Sequence, residues 1–277
     1  MGPATKRQLV KELVCEQGVS VSRACKIVSF PRSQFYYSSK RDDRELVVAI
    51  QDLAFKFPSY GFRKLFIYLR RAGYSWNHKK VRRVYLLLKL NKRRKGKRRL
   101  PARVKQPLQP QTQINKSWSM DFMSDSMTGG RKFRTFNVMD DCSREALAIE
   151  IDTSLSAQRI VRVLDRIIQH RGKPASIRVD NGPEFTSSHF MSWCEANQIQ
   201  INYTQPGRPM QNGFIERFNR LYREAVLDAY LFFELDQVRE LTTEWLEEYN
   251  LRRPHESLQN LTPEEWKQRT FKKENYI

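Results

Sequence analysis

The chain of 277 residues contains little cysteine and histidine and has no long hydrophobic run. The cysteines and histidines lack the spacing of zinc ligands, which argues against a zinc site. No stretch is long and apolar enough to cross a bilayer and no signal peptide is visible, so we expect no membrane partner. Few cysteines and no export signal indicate the reducing cytoplasm. The four cysteines are Cys15, Cys25, Cys142 and Cys194, and the four histidines are His78, His170, His189 and His255.

Acidic residues are scarce in the N-terminal part of the chain. Residues 1–110 contain 28 Lys and Arg against 6 Asp and Glu, whereas residues 111–277 contain 22 against 24. Basic surface concentrated in one region predicts nucleic-acid binding. The densest basic run either tracks the DNA backbone or is a solvated linker without a specific partner. It comprises Lys92, Arg93, Arg94, Lys95, Lys97, Arg98 and Arg99.

The apolar periodicity of residues 5–37 predicts three short helices, with a break at Gly18. A turn with glycine between two short helices is typical of a helix-turn-helix, and a small structural bundle is the alternative. We expect Pro31 to open the third helix as its first residue. That helix would carry the groove-reading side chains, Arg32, Ser33 and Tyr36.

Residues 42–90 are also helical in pattern, with one helix ending at Gly73 and another capped by Asn77. Basic side chains near helix starts suit phosphate contact, so we interpret this segment as a second DNA-binding module. Residues 91–113, basic and containing three prolines, are predicted to be an extended linker. The candidate DNA contacts of the module are Arg63, Lys64, His78, Lys79, Lys80 and Arg82.

From residue 117 the periodicity changes to that of strands. Strands are predicted at 117–122, 133–140 and 146–151, followed by alternating helices and strands up to a long helix from about residue 213. This order predicts a mixed α/β sheet flanked by helices. The loop at 204–212 would be a mobile flap. Apolar residues of two further helices, at 237–250 and 258–268, either cover the core or form a contact surface: Trp245, Leu246, Tyr249 and Trp266.

Three carboxylates stand on separate predicted elements: Asp121 on a strand, Asp180 at the end of a strand, and Glu216 near the start of a helix. Three such groups are what a two-metal phosphoryl-transfer site requires, because Mg²⁺ prefers oxygen ligands. Asp140, Asp141 and Asp152, near strand ends, are rival candidates for this role. Asp125 and Glu184 lie near the proposed site and could assist it or merely cap turns.

Residues 180–185 (DNGPEF) contain the second acid and residues 205–219 (QPGRPMQNGFIERFN) contain the third. Together with Asp121, these blocks resemble the catalytic core of retroviral integrases and DDE transposases. The tail of the chain contains Tyr249-Asn250, Arg253-Pro254-His255 and Thr262-Pro263. It resembles the tail of transposases of the IS-three group of insertion sequences, and the chain is similar to the product of their downstream reading frame. Met123 departs from this pattern, since many relatives have a small hydroxylated residue there, and nothing corresponds to the N-terminal zinc module of retroviral integrases.

The resemblance implies a fold and a chemistry. The fold would be RNase H-like, a mixed five-stranded sheet with flanking helices, preceded by all-α helix-turn-helix modules. Asp121, Asp180 and Glu216 would be the catalytic residues and the metal ligands for two Mg²⁺ ions, with Mn²⁺ able to substitute. Arg223, where relatives often carry a basic residue, would contact DNA.

The chain is therefore expected to be a bacterial, nucleoid-associated transposase that binds the terminal inverted repeats of an insertion sequence. It would cleave 3′ ends and transfer strands, acting as a homodimer on double-stranded DNA, with an upstream-frame protein as a further partner or fusion. A junction-resolvase-like nuclease and a helix-turn-helix repressor with an inert domain are the alternatives. The expected domains are 1–40 and 41–90 (DNA-binding), 91–113 (linker), 114–231 (catalytic core) and 232–277 (helical extension).

Overall fold

The computed structural model describes residues 1–38, 42–91, 111–204 and 212–274. The chain divides into two compact units, Met1–Ala49 and Ile50–Ile277. The basic run at 92–99 and the predicted flap, apart from its ends, lie outside the described residues. The division into five domains expected from the sequence stays a prediction.

The first unit contains the three predicted helices, α1 (Pro3–Gln17), α2 (Val21–Ile27) and α3 (Arg32–Tyr36). Gly18 ends α1 at φ +63°, in the left-handed region that glycine adopts without steric cost. Val10, Ala24 and Phe30 form the small core. The prediction for Pro31 was wrong in detail: it precedes α3 in an extended conformation, so Arg32 is the first helical residue.

Three helices follow: α4 (Arg44–Lys56), α5 (Phe62–Arg71) and α6 (His78–Leu87). Asn77 caps α6 as predicted, because its side-chain oxygen accepts a hydrogen bond from the Lys79 backbone N–H at 2.8 Å. Leu65 and Leu69 of α5 and Val84 of α6 are fully buried. This burial leaves the basic side chains of α6 on its outer surface.

The sheet has five strands, β1 (Ser117–Ser126), β2 (Lys132–Asp140), β3 (Ala146–Asp152), β4 (Ser176–Val179) and β5 (Gln200–Tyr203). Their spatial order is β3-β2-β1-β4-β5. The first three strands pair antiparallel, while β4 pairs parallel to β1 and β5 parallel to β4. The predicted RNase H-like mixed sheet is confirmed, with β1 at its centre.

Helices cover both faces of this sheet. Trp118 and Met120 of β1 belong to the core under α7 (Ala157–Arg171) and α8 (Ser188–Ala196). Met123 belongs to the core under α9 (Gly213–Tyr222), its π-helical continuation Arg223–Leu227, and α10 (Leu235–Glu247). Because side chains alternate along a strand, Asp121 shares the α9 face with Met123. None of the helices in the described ranges has the length and apolar character needed to cross a bilayer.

The C-terminal part continues with a π-helical turn (Glu248–Arg252), a 3₁₀ turn (Glu256–Leu258) and α11 (Pro263–Glu274). The helix predicted at 258–268 thus begins later, because Thr262 and Glu265 exchange hydrogen bonds that fix the helix start there. Trp245 and Tyr249 pack in the core with Phe218, so they cover it and do not provide a contact surface.

The segment of α5 is tied to this C-terminal part across nearly two hundred residues of sequence. The hydroxyls of Tyr60 and Tyr68 both donate to the Glu248 carboxylate, the first at 3.0 Å. Arg71 pairs with Glu265 at 2.7 Å. The second helical segment is therefore anchored on the part of the chain that follows the sheet.

Candidate active site

Asp121 lies in the middle of β1, opposite Asn137 of β2. Its Oδ1 accepts a hydrogen bond from the Phe122 backbone N–H at 2.8 Å, and its Oδ2 accepts one from Asn219 Nδ2 at 2.7 Å. The Asn219 side-chain oxygen in turn accepts from Asn137 Nδ2 at 2.7 Å. Both asparagines are buried, so the position of the Asp121 carboxylate is fixed by its surroundings.

Asp180 follows β4 directly, at the edge where the parallel strands end. Its Oδ1 accepts from the Gly182 backbone N–H at 2.9 Å. A Cβ at position 182 would stand 3.0 Å from that same oxygen and 3.5 Å from Glu184 Oε2. A Cβ at this position would therefore push the Asp180 carboxylate aside by a few tenths of an ångström.

Glu184, four residues beyond Asp180, forms an ion pair with Arg134 of β2. The Arg134 guanidinium also lies over the ring of Phe122, 4.4 Å from its centroid. Glu184 therefore has a partner within the protein and does not cap a turn. It borders the site next to Asp180.

Glu216 lies in the first turn of α9. Ile215 and Phe218 on either side of it are buried against the sheet, which holds the helix in place. Glu216 itself is exposed. Asn219 is three residues further along, so one turn of α9 carries both Glu216 and the amide that holds Asp121.

The three acids are electrostatic neighbours. Burial, opposed by the Phe122 N–H, and then the charges of Asp180 and Glu216 raise the pKa of Asp121 from 3.8 to about 6. Clustered carboxylates raise each other's affinity for a proton, and a divalent cation relieves the same repulsion. The structure thus brings together the three residues selected from the sequence.

The described residues contain no closed group of three acidic, histidine or cysteine side chains at metal-holding distances. A magnesium site does not need one, because Mg²⁺ keeps several waters and uses substrate phosphates as ligands. The donors present are carboxylate oxygens, which are the hard ligands that this ion prefers. The residues therefore fit a Mg²⁺ ion that takes its remaining ligands from water and from DNA.

The rival acids have structural roles. Asp140 is buried and accepts hydrogen bonds from the backbone N–H groups of Cys142 and Ser143 at 3.0 and 2.7 Å. Asp141 is buried and pairs with Arg178 at 3.0 Å, and burial raises its pKa. Asp152 forms ion pairs with Arg159 and with Arg239. Asp125, nearer to the proposed site, forms an ion pair with Arg223.

The DNA contacts predicted on the N-terminal helices fall into three groups. Arg32, Ser33 and Tyr36 are exposed on α3. On α5, Arg63 lies 3.7 Å from Glu256 and Lys64 lies over the Tyr60 ring, 5.0 Å from its centroid. His78, Lys79, Lys80 and Arg82 lie on the first two turns of α6, with Arg82 over the Phe62 ring. Their contacts with DNA stay predictions, as do those of Arg223 and of Lys92, Arg93, Arg94, Lys95, Lys97, Arg98 and Arg99.

Two residues of the site were not predicted from the sequence, Asn219 and Asn137. The available signal was the position of Asn219, three residues after Glu216 and on the same helical face. Asn137 gave no local signal, because only the pairing of β1 with β2 brings it to Asp121.

Comparison with known proteins adds a second line of observation. Residues 111–209 and 197–263 match the family described as Integrase core domain, and residues 40–98 match the HTH-like domain. The chain is 35% identical, over 95% of its length and 77% of the relative, to the uncharacterized 39.2 kDa protein of insertion element IS476 from Xanthomonas euvesicatoria. It is also 35% identical, over 90% of both chains, to the uncharacterized 31.7 kDa protein of insertion element IS407 from Burkholderia multivorans.

Among solved structures, the chain is similar to the catalytic core domain of HTLV-2 integrase in complex with magnesium. The TM-score is 0.44 at 21% identity, covering 54% of this chain and 94% of that one.

Proposed function

Since the chain belongs to the insertion-element transposases, with an integrase core and an HTH-like domain, we propose that it cleaves the 3′ ends of its element and transfers them to DNA in a Mg²⁺-dependent reaction. The observation that carries this proposal is the convergence of Asp121, Asp180 and Glu216 from three elements, close enough for the charges of the other two to raise the pKa of Asp121. These carboxylates come from β1, from the end of β4 and from α9, and together they offer only oxygen donors.

The roles of the chain's own residues follow from their contacts. Asp121, Asp180 and Glu216 would hold two divalent ions, Mg²⁺ or Mn²⁺. Asn219 and the Phe122 N–H keep the Asp121 carboxylate oriented, and its pKa of about 6 leaves it mostly ionised at neutral pH. When bound, two such ions supply activation of the attacking hydroxyl or water and stabilisation of the leaving 3′-oxygen.

Asp121→Asn, Asp180→Asn and Glu216→Gln test the proposal directly. Each change removes an anionic ligand at almost constant side-chain size, so cleavage and strand transfer should fall by at least about 10³-fold while DNA binding persists. Glu224→Gln is the matched control, because Glu224 is exposed just beyond α9. The assay follows Mg²⁺-dependent cleavage and joining of a duplex carrying the terminal repeat of the element.

The outcomes also separate the alternative functions. Hydrolysis by the wild-type protein without strand transfer would indicate a nuclease of the same fold. Binding without any metal-dependent cleavage would indicate a repressor. Wild-type activity in Asp180→Asn or Glu216→Gln would refute the assignment of the triad.

The proposed partner is double-stranded DNA, at the terminal inverted repeats and at the target. Two ends must be held during joining, and a two-fold dimer is the simplest assembly that does so. Because Trp245 and Tyr249 are buried, its interface must use other residues. Light scattering of the protein–DNA complex tests this, and a joining-competent complex with a single chain would exclude the dimer. An upstream-frame protein remains part of the proposal as a partner or fusion.

A further inference from the structure

Arg253 is a buried cation that forms no ion pair with the described residues. Arg253 directly follows the π-helical turn Glu248–Arg252, and only 3% of the residue is exposed. The guanidinium lies over the Tyr60 ring, 4.7 Å from its centroid, and its Nε has no hydrogen-bond partner among the described residues. A buried charge that lacks a counter-charge is costly, so such a group indicates a ligand that arrives from outside.

Other positive groups surround Arg253. The Lys64 ammonium of α5 lies over the same Tyr60 ring as Arg253, 5.0 Å from its centroid. Arg217 of α9 is near enough for its charge to act on Lys64. Burial first, and then Arg253 and Arg217, lower the pKa of Lys64 to about 7. Burial, Arg253 and Lys64 likewise lower the pKa of His255 to about 3, and its buried Nε2 has no hydrogen-bond partner in the described part of the chain. Three elements thus bring positive charge to one place.

The nearby carboxylates are already engaged. Glu248 accepts hydrogen bonds from the hydroxyls of Tyr60 and Tyr68. Glu256 lies 3.7 Å from Arg63. Residues 92–110 and 205–211, which the structure does not describe, contain no Asp or Glu in their sequence. These two segments therefore cannot supply the missing negative charge.

The place of this cluster in the fold suggests the anion. Arg217 is exposed and directly follows Glu216 on α9. We propose that Lys64, Arg217 and Arg253 bind a phosphate of the DNA backbone beside the catalytic triad. Arg217 and the half-buried Lys64 donate to the phosphate oxygens, and Arg253 adds positive charge from behind. The inference rests on the proposed function, since it supposes that the substrate is DNA.

The test measures how DNA affinity of the full-length protein depends on NaCl, in EDTA so that no cleavage occurs. The probe is a duplex carrying the terminal repeat. Each phosphate contact contributes about 0.9 to the slope of log K against log salt concentration. Arg217→Gln and Lys64→Gln should each lower the slope by about that amount. Arg162→Gln is the matched control, because Arg162 is exposed on α7, across the sheet from α9, and should leave the slope unchanged.

Two further measurements test two alternatives: that the cluster of Lys64, Arg217 and Arg253 only stabilises the fold, and that it binds free anions instead of DNA. Arg253→Met should weaken DNA binding without lowering the melting temperature of the protein, because it removes an uncompensated buried charge. A lower melting temperature with an unchanged salt slope would make Arg253 structural and overturn the proposal. A second result would also overturn the proposal. Inorganic phosphate would stabilise the wild type but not Arg217→Gln, while both proteins show the same salt slope for DNA binding.

Failure of this inference differs from failure of the proposed function. If the wild-type protein binds the duplex and all four variants share its salt slope, only the phosphate site is refuted. If the wild type does not bind the duplex at all, the proposed function fails with it.

Discussion

The raised pKa of Asp121 predicts a pH dependence of folding stability that a single substitution should remove. The unfolded chain ionises this carboxyl near 3.8 and the folded protein near 6. The folded state therefore holds the proton more tightly, and the free energy of unfolding falls as pH rises from about 4 to about 6. Above that window the ionised carboxylate is a constant destabilising charge in the metal-free protein.

The size of the effect follows from the shift. One pKa unit corresponds to about 1.4 kcal/mol, so the shift from 3.8 to about 6 sets an upper limit of about 3 kcal/mol. Asp121 is partly exposed, and solvent screening reduces the expected change to roughly 1–2 kcal/mol. In Asp121→Asn this change should disappear. At pH 7 the free energy of unfolding of the variant should exceed that of the wild type by less than this amount. The carboxylate accepts from two donors, the Phe122 N–H and Asn219, and the amide oxygen can accept from only one of them.

Urea unfolding in EDTA between pH 4 and 7.5 measures this dependence, with Asp52→Asn as the control. Asp52 is exposed on α4, so its replacement removes a carboxyl group without touching the three acids of the proposed site. Adding Mg²⁺ at pH 7 should stabilise the wild type and not Asp121→Asn, since the proposed metal site needs the Asp121 carboxylate. If Asp121→Asn kept the pH profile of the wild type, the pH dependence of stability would not come from a raised pKa of Asp121.

Three further outcomes follow from the structure. Asn219→Ala should lower single-turnover cleavage by roughly 10–100-fold, with little loss of DNA binding, because Asp121 loses its orienting donor; unchanged cleavage would show that this hydrogen bond is dispensable. Gly182→Ala should reduce cleavage by about 10-fold or more at an almost unchanged melting temperature, since the added Cβ displaces the Asp180 carboxylate; full activity would show that the loop moves freely. Trp245→Ala should cost about 3–5 kcal/mol in urea unfolding, as for other large core residues, and a cost below about 1 kcal/mol would contradict its burial.

The features that the sequence predicts well are those with local signals. The strands around Asp121 and Asp180 follow from alternation and turn residues, and the start of α6 follows from the capping oxygen of Asn77. The three acids could be proposed as a site because Asp121 stands on a predicted strand, Asp180 at a strand end and Glu216 near a helix start, and this site stays a prediction. In each case, neighbours within a few residues carry the information.

The features that the sequence does not predict depend on distant pairing. Asn219 is 98 residues from Asp121 and 82 from Asn137, so no local pattern links them. Trp245 illustrates a second limit. Helical periodicity identifies its apolar face, but the same face could meet the sheet or a partner, and only the packing of α10 on the sheet decides between them.

The ties between α5 and the C-terminal part have a consequence for synthesis on the ribosome. Tyr60 precedes its acceptor Glu248 by 188 residues, and Arg71 precedes Glu265 by 194. At roughly 5–20 residues per second, α5 waits about 10–40 s for the residues that complete its surroundings. A prematurely terminated chain that already contains Asp121, Asp180 and Glu216 would still lack these anchors. Incomplete translation products should therefore carry the three acids of the proposed active site without a properly docked α5.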